Sequence, residues 1–138
     1  MVGYNVTRQT GFDRRDVERM RASGRKVAAI IGDLMEFYLA RQEIVFGLDI
    51  APIHDVCAVV PYVAPELIRY VETSVKIELA GVYTRGMTVC DLREVRPGVT
   101  PRGTKDLRPA EAATTKVAVV ADRRPLIELV VDTVLSFE

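Results

Sequence analysis

The chain has 138 residues, of which 49% are hydrophobic, 28% charged and 7% aromatic, a composition typical of one globular domain rather than of a disordered segment. Nineteen basic and nineteen acidic side chains give zero formal net charge, which excludes a broad electrostatic attraction to nucleic acid or to an anionic membrane. Without a signal-peptide pattern or a bilayer-length apolar run, we expect a cytoplasmic protein whose cysteines, Cys57 and Cys90, are reduced and buried.

The first third of the chain predicts a strand followed by two helices. Residues 2–7 are typical of a short buried strand or its end. Asp13, with Asp16 three residues on, can cap a short polar helix over 13–22, which Ser23-Gly24 breaks. The clearest helix runs from 26 to 46 and ends at Gly47. Steps of three and four predict that its buried face carries Val27, Ile30, Ile31, Leu34, Phe37, Tyr38, Arg41 and Val45.

The remaining elements predict an incomplete sheet. Pro52 can open a short helix that carries His54 and Asp55. Alternation over 71–79 predicts a half-exposed strand, and a turn at 84–86 leads to a second strand at 87–90. Residues 95–113, rich in proline, glycine and basic side chains, predict a long mobile loop.

A buried strand at 117–120 and a final helix complete the chain. Asp122 is the predicted cap of that helix. Its predicted buried stripe consists of Leu126, Ile127, Val130, Val131 and Val134. The order of elements indicates one α/β domain over 1–138, with an open, incomplete sheet flanked by helices.

His54 and Asp55 form the one pair of side chains that suggests chemistry. His54 is the only histidine of the chain, and both residues lie near a predicted helix N-terminus. The field there disfavours a protonated imidazole while the adjacent carboxylate favours it, so His54 could serve as a general acid. On spacing alone, a capping Asp55 beside a surface His54 is the commoner arrangement.

Four segments resemble landmarks of the inosine-uridine preferring nucleoside hydrolases, in the same order and at similar spacing. Residues 47–55, GLDIAPIHD, resemble that family's GLDGAPLHDP, although Val56 stands where the family has proline. Residues 79–91, LAGVYTRGMTVCD, resemble ELTRGMTVVD, and residues 3–7, GYNVT, resemble GLNVT. The segment from Lys116 onward resembles the family's last strand and helix.

The resemblance implies hydrolysis of purine or pyrimidine ribonucleosides at the N-glycosidic bond, through an oxocarbenium-like transition state. It assigns His54 as the acid that assists departure of the base, and Asp55 as a ligand of a calcium ion. Tyr38, on the helix that borders the base pocket in the family, is assigned to substrate binding.

The family's DxDxxxDD cluster, which holds calcium and activates water, has no counterpart here, since the chain contains no Asp-x-Asp. Calcium takes about six to eight oxygens, and Asp55 offers at most two. We therefore expect the C-terminal portion of a nucleoside hydrolase, truncated, inactive alone and unable to retain Ca²⁺. An uncovered sheet edge and apolar face would favour a homo-oligomer, most simply a two-fold dimer.

Two other classes of function stay open. A non-catalytic binding or oligomerisation module of hydrolase ancestry would keep the fold without the chemistry. Nucleic-acid binding through the basic residues of 95–108 has little support, because no aromatic platform accompanies those charges.

Overall fold

The computed structural model describes residues 1–92 and 113–138, which divide into two compact units. The larger unit comprises Val2–Arg69 and Ala118–Glu138, and the smaller comprises Met1 and Tyr70–Val117. The prediction of one domain over 1–138 stays a prediction. Apart from Ala113, which is exposed, the predicted mobile loop at 95–113 lies outside the described residues.

The strands form three separate two-stranded sheets, β1 with β2, β3 with β6 and β4 with β5. Their bounds are Gly11–Phe12, Ala51–Pro52, Ile68–Thr73, Val75–Ile77, Thr88–Cys90 and Thr115–Ala121. Among the described residues, five α-helices and one 3-10 turn at Pro65–Leu67 accompany them, the α-helices having bounds Tyr4–Thr7 (α1), Arg14–Arg21 (α2), Lys26–Phe46 (α3), Val56–Val63 (α4) and Arg123–Ser136 (α5). This confirms a mixed α/β fold with an incomplete sheet. None of the helices in the described ranges is long and apolar enough to cross a membrane.

The predicted strand over 2–7 is wrong, because the chain forms the single helical turn α1 there. The N–H groups of Val6 and Thr7 donate to the Gly3 carbonyl, at 3.0 and 3.1 Å. Arg8 N–H donates to the Tyr4 carbonyl at 2.9 Å. These local bonds satisfy the backbone where, in the described ranges, no strand pairs with the segment.

Helices α2 and α3 confirm the predicted bounds to within one residue. The Asp13 side chain accepts from the backbone of Arg15 and Asp16, while the Asp16 side chain accepts from Asp13 N–H, which completes a capping box. Gly47, the C-cap of α3, adopts a positive φ of 63°, a region that favours glycine. Gly24, two residues beyond the C-cap Ala22 of α2, also has a positive φ, 75°, in the turn that leads to α3.

The predicted buried face of α3 is wrong. The buried residues are Ala28, Gly32, Leu39 and Gln42, a stripe on another side of the same helix. Gly32 permits close approach to α2, since a Cβ there would lie 2.6 Å from Arg21 Cγ and 3.3 Å from the Val17 carbonyl oxygen. Much of the predicted face is instead exposed, including Ile30, Leu34, Phe37 and Val45.

Pro52 lies in β2 rather than in the first turn of a helix. Antiparallel pairing of β1 with β2 places Gly11 opposite Pro52 and Phe12 opposite Ala51. Helix α4 begins four residues later, at Val56, and continues through Pro61 to Val63.

In the smaller unit, the strand predicted over 71–79 divides at Ser74. One part belongs to β3, which begins earlier, at Ile68, and the other is β4. The strand at the TRGMTV segment is confirmed as β5, one residue shorter than predicted. Val75 lies opposite Cys90 and Ile77 opposite Thr88, so β4 and β5 form an antiparallel hairpin.

The C-terminal strand and helix, β6 and α5, occur where they were predicted. Asp122 occupies the N-cap position of α5, but its side chain accepts no capping hydrogen bond. Four of the five predicted stripe residues are buried, Leu126, Ile127, Val131 and Val134. Val130 is half-buried. A continuous apolar stripe therefore anchors α5 in the core of the larger unit.

Candidate active site around His54

The β1–β2 pair positions His54. Ile53 N–H donates to the Thr10 carbonyl at 2.9 Å, which extends the pairing by one residue up to the histidine. On the other side, the Cys57 thiol donates to the Ile53 carbonyl at 3.3 Å, and Cys57 is fully buried. His54 is thus held between a strand end and the anchored first turn of α4.

Cys57 itself is a structural group. Burial raises the pKa of its thiol, and a side-chain hydrogen bond with Thr10 opposes that shift only in part. The thiol therefore stays protonated at neutral pH and is a poor nucleophile. The expectation of buried, reduced thiols is confirmed for Cys57, whereas Cys90, also a free thiol, is only half-buried.

Two residues of α1 contact the imidazole of His54. Its Nδ1 lies 2.8 Å from Thr7 Oγ1, and its ring stacks on that of Tyr4 with centroids 5.5 Å apart and an interplanar angle of 26°. Thr7 is buried and Tyr4 largely exposed, so the histidine lies at the boundary between core and solvent. Its Nε2 makes no hydrogen bond to any residue that the structure describes.

Asp55 directly precedes α4 and is exposed, and its side chain makes no capping hydrogen bond. Its backbone is already helical, with φ −69° and ψ −37°. Within residues 1–92 and 113–138, no group of three His, Cys, Asp or Glu side chains is arranged to hold a metal ion. These residues do not fit a complete calcium site, because one exposed carboxylate supplies at most two of the oxygens required.

Tyr38 is half-buried on α3. Neither a ring contact nor a hydrogen bond links it to His54 in the described part of the chain. His54 and Asp55 lie together because they are adjacent in the sequence. The binding role of Tyr38 stays a prediction.

Sequence reasoning missed Thr7 and Tyr4 as site residues. In the sequence, residues 3–7 form only a landmark of the family resemblance, and their pattern predicts a strand. Thr7 and His54 are 47 residues apart, so only the tertiary structure reveals their contact.

The family model described as "Inosine-uridine preferring nucleoside hydrolase" matches residues 1–127. The pyrimidine-specific ribonucleoside hydrolase RihA of Citrobacter koseri is 39% identical over 92 residues, which are 66% of this chain and 30% of that protein. RihA of Shigella boydii is 33% identical over 136 residues, or 96% of this chain and 39% of that protein. The chain thus spans between 30% and 39% of the length of these relatives.

Solved structures give the same fold. A purine-preferring ribonucleoside hydrolase from Gardnerella vaginalis matches 99% of this chain with a TM-score of 0.75 and 23% identity, over 39% of its own length. The plant nucleoside hydrolase PpNRh1 matches 97% of this chain with a TM-score of 0.74, over 40% of its own length. The chain therefore has the architecture of part of the nucleoside hydrolase fold.

Proposed function

Because the chain belongs to the inosine-uridine preferring nucleoside hydrolase family, we propose that it takes part in hydrolysis of the N-glycosidic bond of ribonucleosides. His54 is the residue proposed to protonate the departing base. One observation carries this assignment: Nδ1 is engaged by Thr7, while Nε2 has no partner among the described residues and the side chain is only half-buried.

The proposed reaction breaks the bond between the base nitrogen and the anomeric carbon. Water adds to that carbon and loses a proton, and the bonding electron pair leaves with the base. A proton delivered from His54 Nε2 neutralises the leaving group, which is the ordinary contribution of a general acid. Tyr4, stacked on the imidazole and exposed, limits rotation of the acid without closing its path to a ligand.

The group that accepts the proton of the water is not assigned to this chain. The family's aspartate cluster has no Asp-x-Asp counterpart in the sequence, and Asp55 is a single exposed carboxylate. We propose that this polypeptide, by itself, neither retains Ca²⁺ nor turns over nucleosides, and that another part of the family fold must complete the site.

Incubation of the purified chain with Ca²⁺ and either inosine or uridine tests this proposal, with free ribose as the readout. We expect ribose at the level of a buffer control for both substrates. Release at an ordinary enzymatic rate would show that one chain, or its self-assembly, contains the whole site.

The second candidate is a non-catalytic module of hydrolase ancestry that associates with itself, and the outer face of α3 favours it. We define this face as the exposed residues Ile30, Leu34, Phe37 and Ile44, whose side chains are between 52% and 80% exposed. Contiguous exposed apolar surface of this kind favours association. A two-fold dimer is the simplest arrangement that would cover it.

For both candidates we propose a cytoplasmic protein that binds neither nucleic acid nor membranes. The support is the balanced charge, nineteen basic against nineteen acidic side chains. Retention of the His54–Asp55 pair favours the catalytic candidate over the module.

A further inference from the structure

We propose that Thr7 is a positioning residue that fixes the ring of His54 in one tautomer, with the proton on Nδ1 and with Nε2 turned away from the core. The catalytic meaning of this arrangement rests on the proposed function. The arrangement itself is a property of the chain alone and can be measured without a substrate.

The contact is a tertiary one. The Nδ1–Oγ1 distance of 2.8 Å is that of a well-formed hydrogen bond, and it joins α1 to the segment between β2 and α4. Thr7 is only 6% exposed, so water competes little for its hydroxyl. Loss of the bond would leave a largely buried hydroxyl to find another partner, which gives the native ring orientation a real energetic preference.

The direction that we propose for the bond uses the single proton of the Thr7 hydroxyl. Thr7 Oγ1 also lies 3.5 Å from the carbonyl oxygen of Tyr4, to which it can donate. A hydroxyl that donates there keeps its lone pairs for an incoming donor, and the nearest candidate is Nδ1–H. The second neutral arrangement, in which Thr7 donates to Nδ1, would give up the Tyr4 contact.

The stacked Tyr4 ring supports the same orientation. With centroids 5.5 Å apart and planes 26° from parallel, the phenol covers one face of the imidazole. Rotation of the imidazole by half a turn about its bond to Cβ would replace Nδ1 by a carbon atom opposite Thr7 and lose the hydrogen bond. Thr7 and Tyr4 therefore hold the ring from two directions, and both belong to one helical turn.

It follows that Nε2 is the nitrogen through which His54 would act on a ligand. In the neutral ring Nε2 carries a lone pair, and in the protonated ring, which is the form that acts as a general acid, it carries the proton that is delivered; no described residue occupies it. The family resemblance assigns a role to the histidine without saying which nitrogen performs it. In this proposal the bond to the buried Thr7 answers that question, because it engages Nδ1 and leaves Nε2 for the ligand.

Nitrogen NMR of the ¹⁵N-histidine-labelled chain, with any affinity tag removed, tests the proposal directly. His54 is the only histidine, so a single pair of ring nitrogens contributes to the spectrum. Four proteins are compared at a pH where the ring is neutral: the wild type, Thr7→Val, Thr7→Ser and Thr10→Val. Thr10 is the matched control, because it is a buried threonine whose hydroxyl bonds to the Val6 carbonyl and not to His54.

We expect the Nδ1–H tautomer to exceed the other by at least about fivefold in the wild type, a factor that one net hydrogen bond can supply. Thr7→Val should abolish this excess, Thr7→Ser should restore it, and Thr10→Val should retain it. A wild-type ring in the Nε2–H tautomer, or an even mixture, would overturn the proposal, even if Thr7→Val did not fold. An unchanged tautomer in folded Thr7→Val would overturn it equally.

The outcome is separable from that of the proposed function. A wild-type ring in the Nδ1–H form would keep the inference about Thr7 whether or not ribose is ever released. A catalytically competent His54 with the opposite tautomer would keep the proposed function and remove the inference.

Discussion

Arg124 on α5 donates from Nη1 to Oδ1 of Asp16 on α2 at 2.8 Å, and Asp16 is only 1% exposed. The other oxygen of the same carboxylate accepts from the backbone N–H of Asp13 at 3.0 Å and closes the capping box. The buried carboxylate of Asp16 therefore completes the N-terminal capping box of α2 and also links this helix to α5. Because a buried carboxylate is costly without partners, this pair should be sensitive to loss of the guanidinium.

Arg124→Met is expected to lower the free energy of unfolding by about 1 to 2 kcal/mol, since it leaves the Asp16 carboxylate short of a charged donor. Half of the Arg124 side chain is exposed, which keeps the loss at this moderate level. Arg15→Met is the matched control, because Arg15 is 85% exposed and lies 3.4 Å from Asp13. Urea unfolding should place the control within about 0.5 kcal/mol of wild type. Equal losses in both variants would contradict the special role of Arg124.

The stability of the protein should fall in acid through Asp13. Burial alone would raise the pKa of this carboxyl, but the hydrogen bond from Asp16 N–H and the neighbouring Arg15 and Arg123 guanidinium groups hold it below its ordinary value of 3.8. A pKa lowered by folding contributes stability that is complete above about pH 4 and disappears as the pH falls through the folded value. Asp13→Asn keeps a capping oxygen and removes the titration.

The advantage of wild type over Asp13→Asn in urea midpoint should therefore be largest at neutral pH and shrink below about pH 4. The measurement is a series of urea titrations of both proteins between pH 7 and pH 3. A difference that stays constant across this range would mean that Asp13 does not titrate in the way its contacts predict.

Gly11→Ala should disturb both the β1–β2 pair and the site that follows it. A Cβ at Gly11 would lie 2.3 Å from the Ala51 carbonyl oxygen and 2.8 Å from Pro52 Cα, and this backbone has no free side chain to move aside. We expect a loss of about 2 kcal/mol or more and a shifted His54 resonance, because β2 leads directly into the histidine. Thermal unfolding and the single-histidine spectrum are the measurements.

Gly24→Ala serves as the control for that experiment. Gly24 has φ 75°, and a Cβ at this position would have no neighbouring atom within 4 Å, so the change costs about 1 kcal/mol through backbone strain alone. It should leave the His54 spectrum unchanged. An equal shift in both variants would mean that the histidine reports general destabilisation rather than the position of β2.

The outer face of α3 should drive self-association. Leu34→Glu combined with Phe37→Lys replaces two exposed apolar side chains on this face, of which Phe37 is 76% exposed. We expect light scattering to show a concentration-dependent dimer in wild type and a monomer in the double variant. The Tm of the variant should equal that of dilute, monomeric wild type, because neither residue is buried within one chain. Glu18→Lys, an exposed charge reversal on α2 and therefore outside this face, should preserve the dimer. A monomeric wild type at high concentration would contradict the proposal.

The features that the sequence predicts well are helix ends, which depend on residues close by in the chain. The ends of α2 and α3 follow from an aspartate that caps and glycines that accept positive φ, and each signal lies within a few residues of its effect. The buried face of α3 was not predictable in this way. Apolar residues surround the helix, and the side that is buried was decided by the close approach of α2 at Gly32.

The same distinction between local and tertiary signals applies to the residues of the site. His54 and Asp55 were found because they stand together in a recognisable segment. Thr7 and Tyr4 were missed because their own segment looked like a strand and their contact with His54 spans about 50 residues of chain. A hydroxyl that orients an imidazole leaves no spacing pattern, so only the folded chain identifies it.

A chimera tests the central claim most directly, with this chain in place of the part of Shigella boydii RihA that it matches over 136 residues. Ribose release from uridine with Ca²⁺ is measured for this protein, for its His54→Ala variant and for the isolated chain. We predict release by the chimera, at least about a hundredfold less in the variant, and none by the isolated chain. A folded, Ca²⁺-binding chimera whose rate does not depend on His54 would contradict the account.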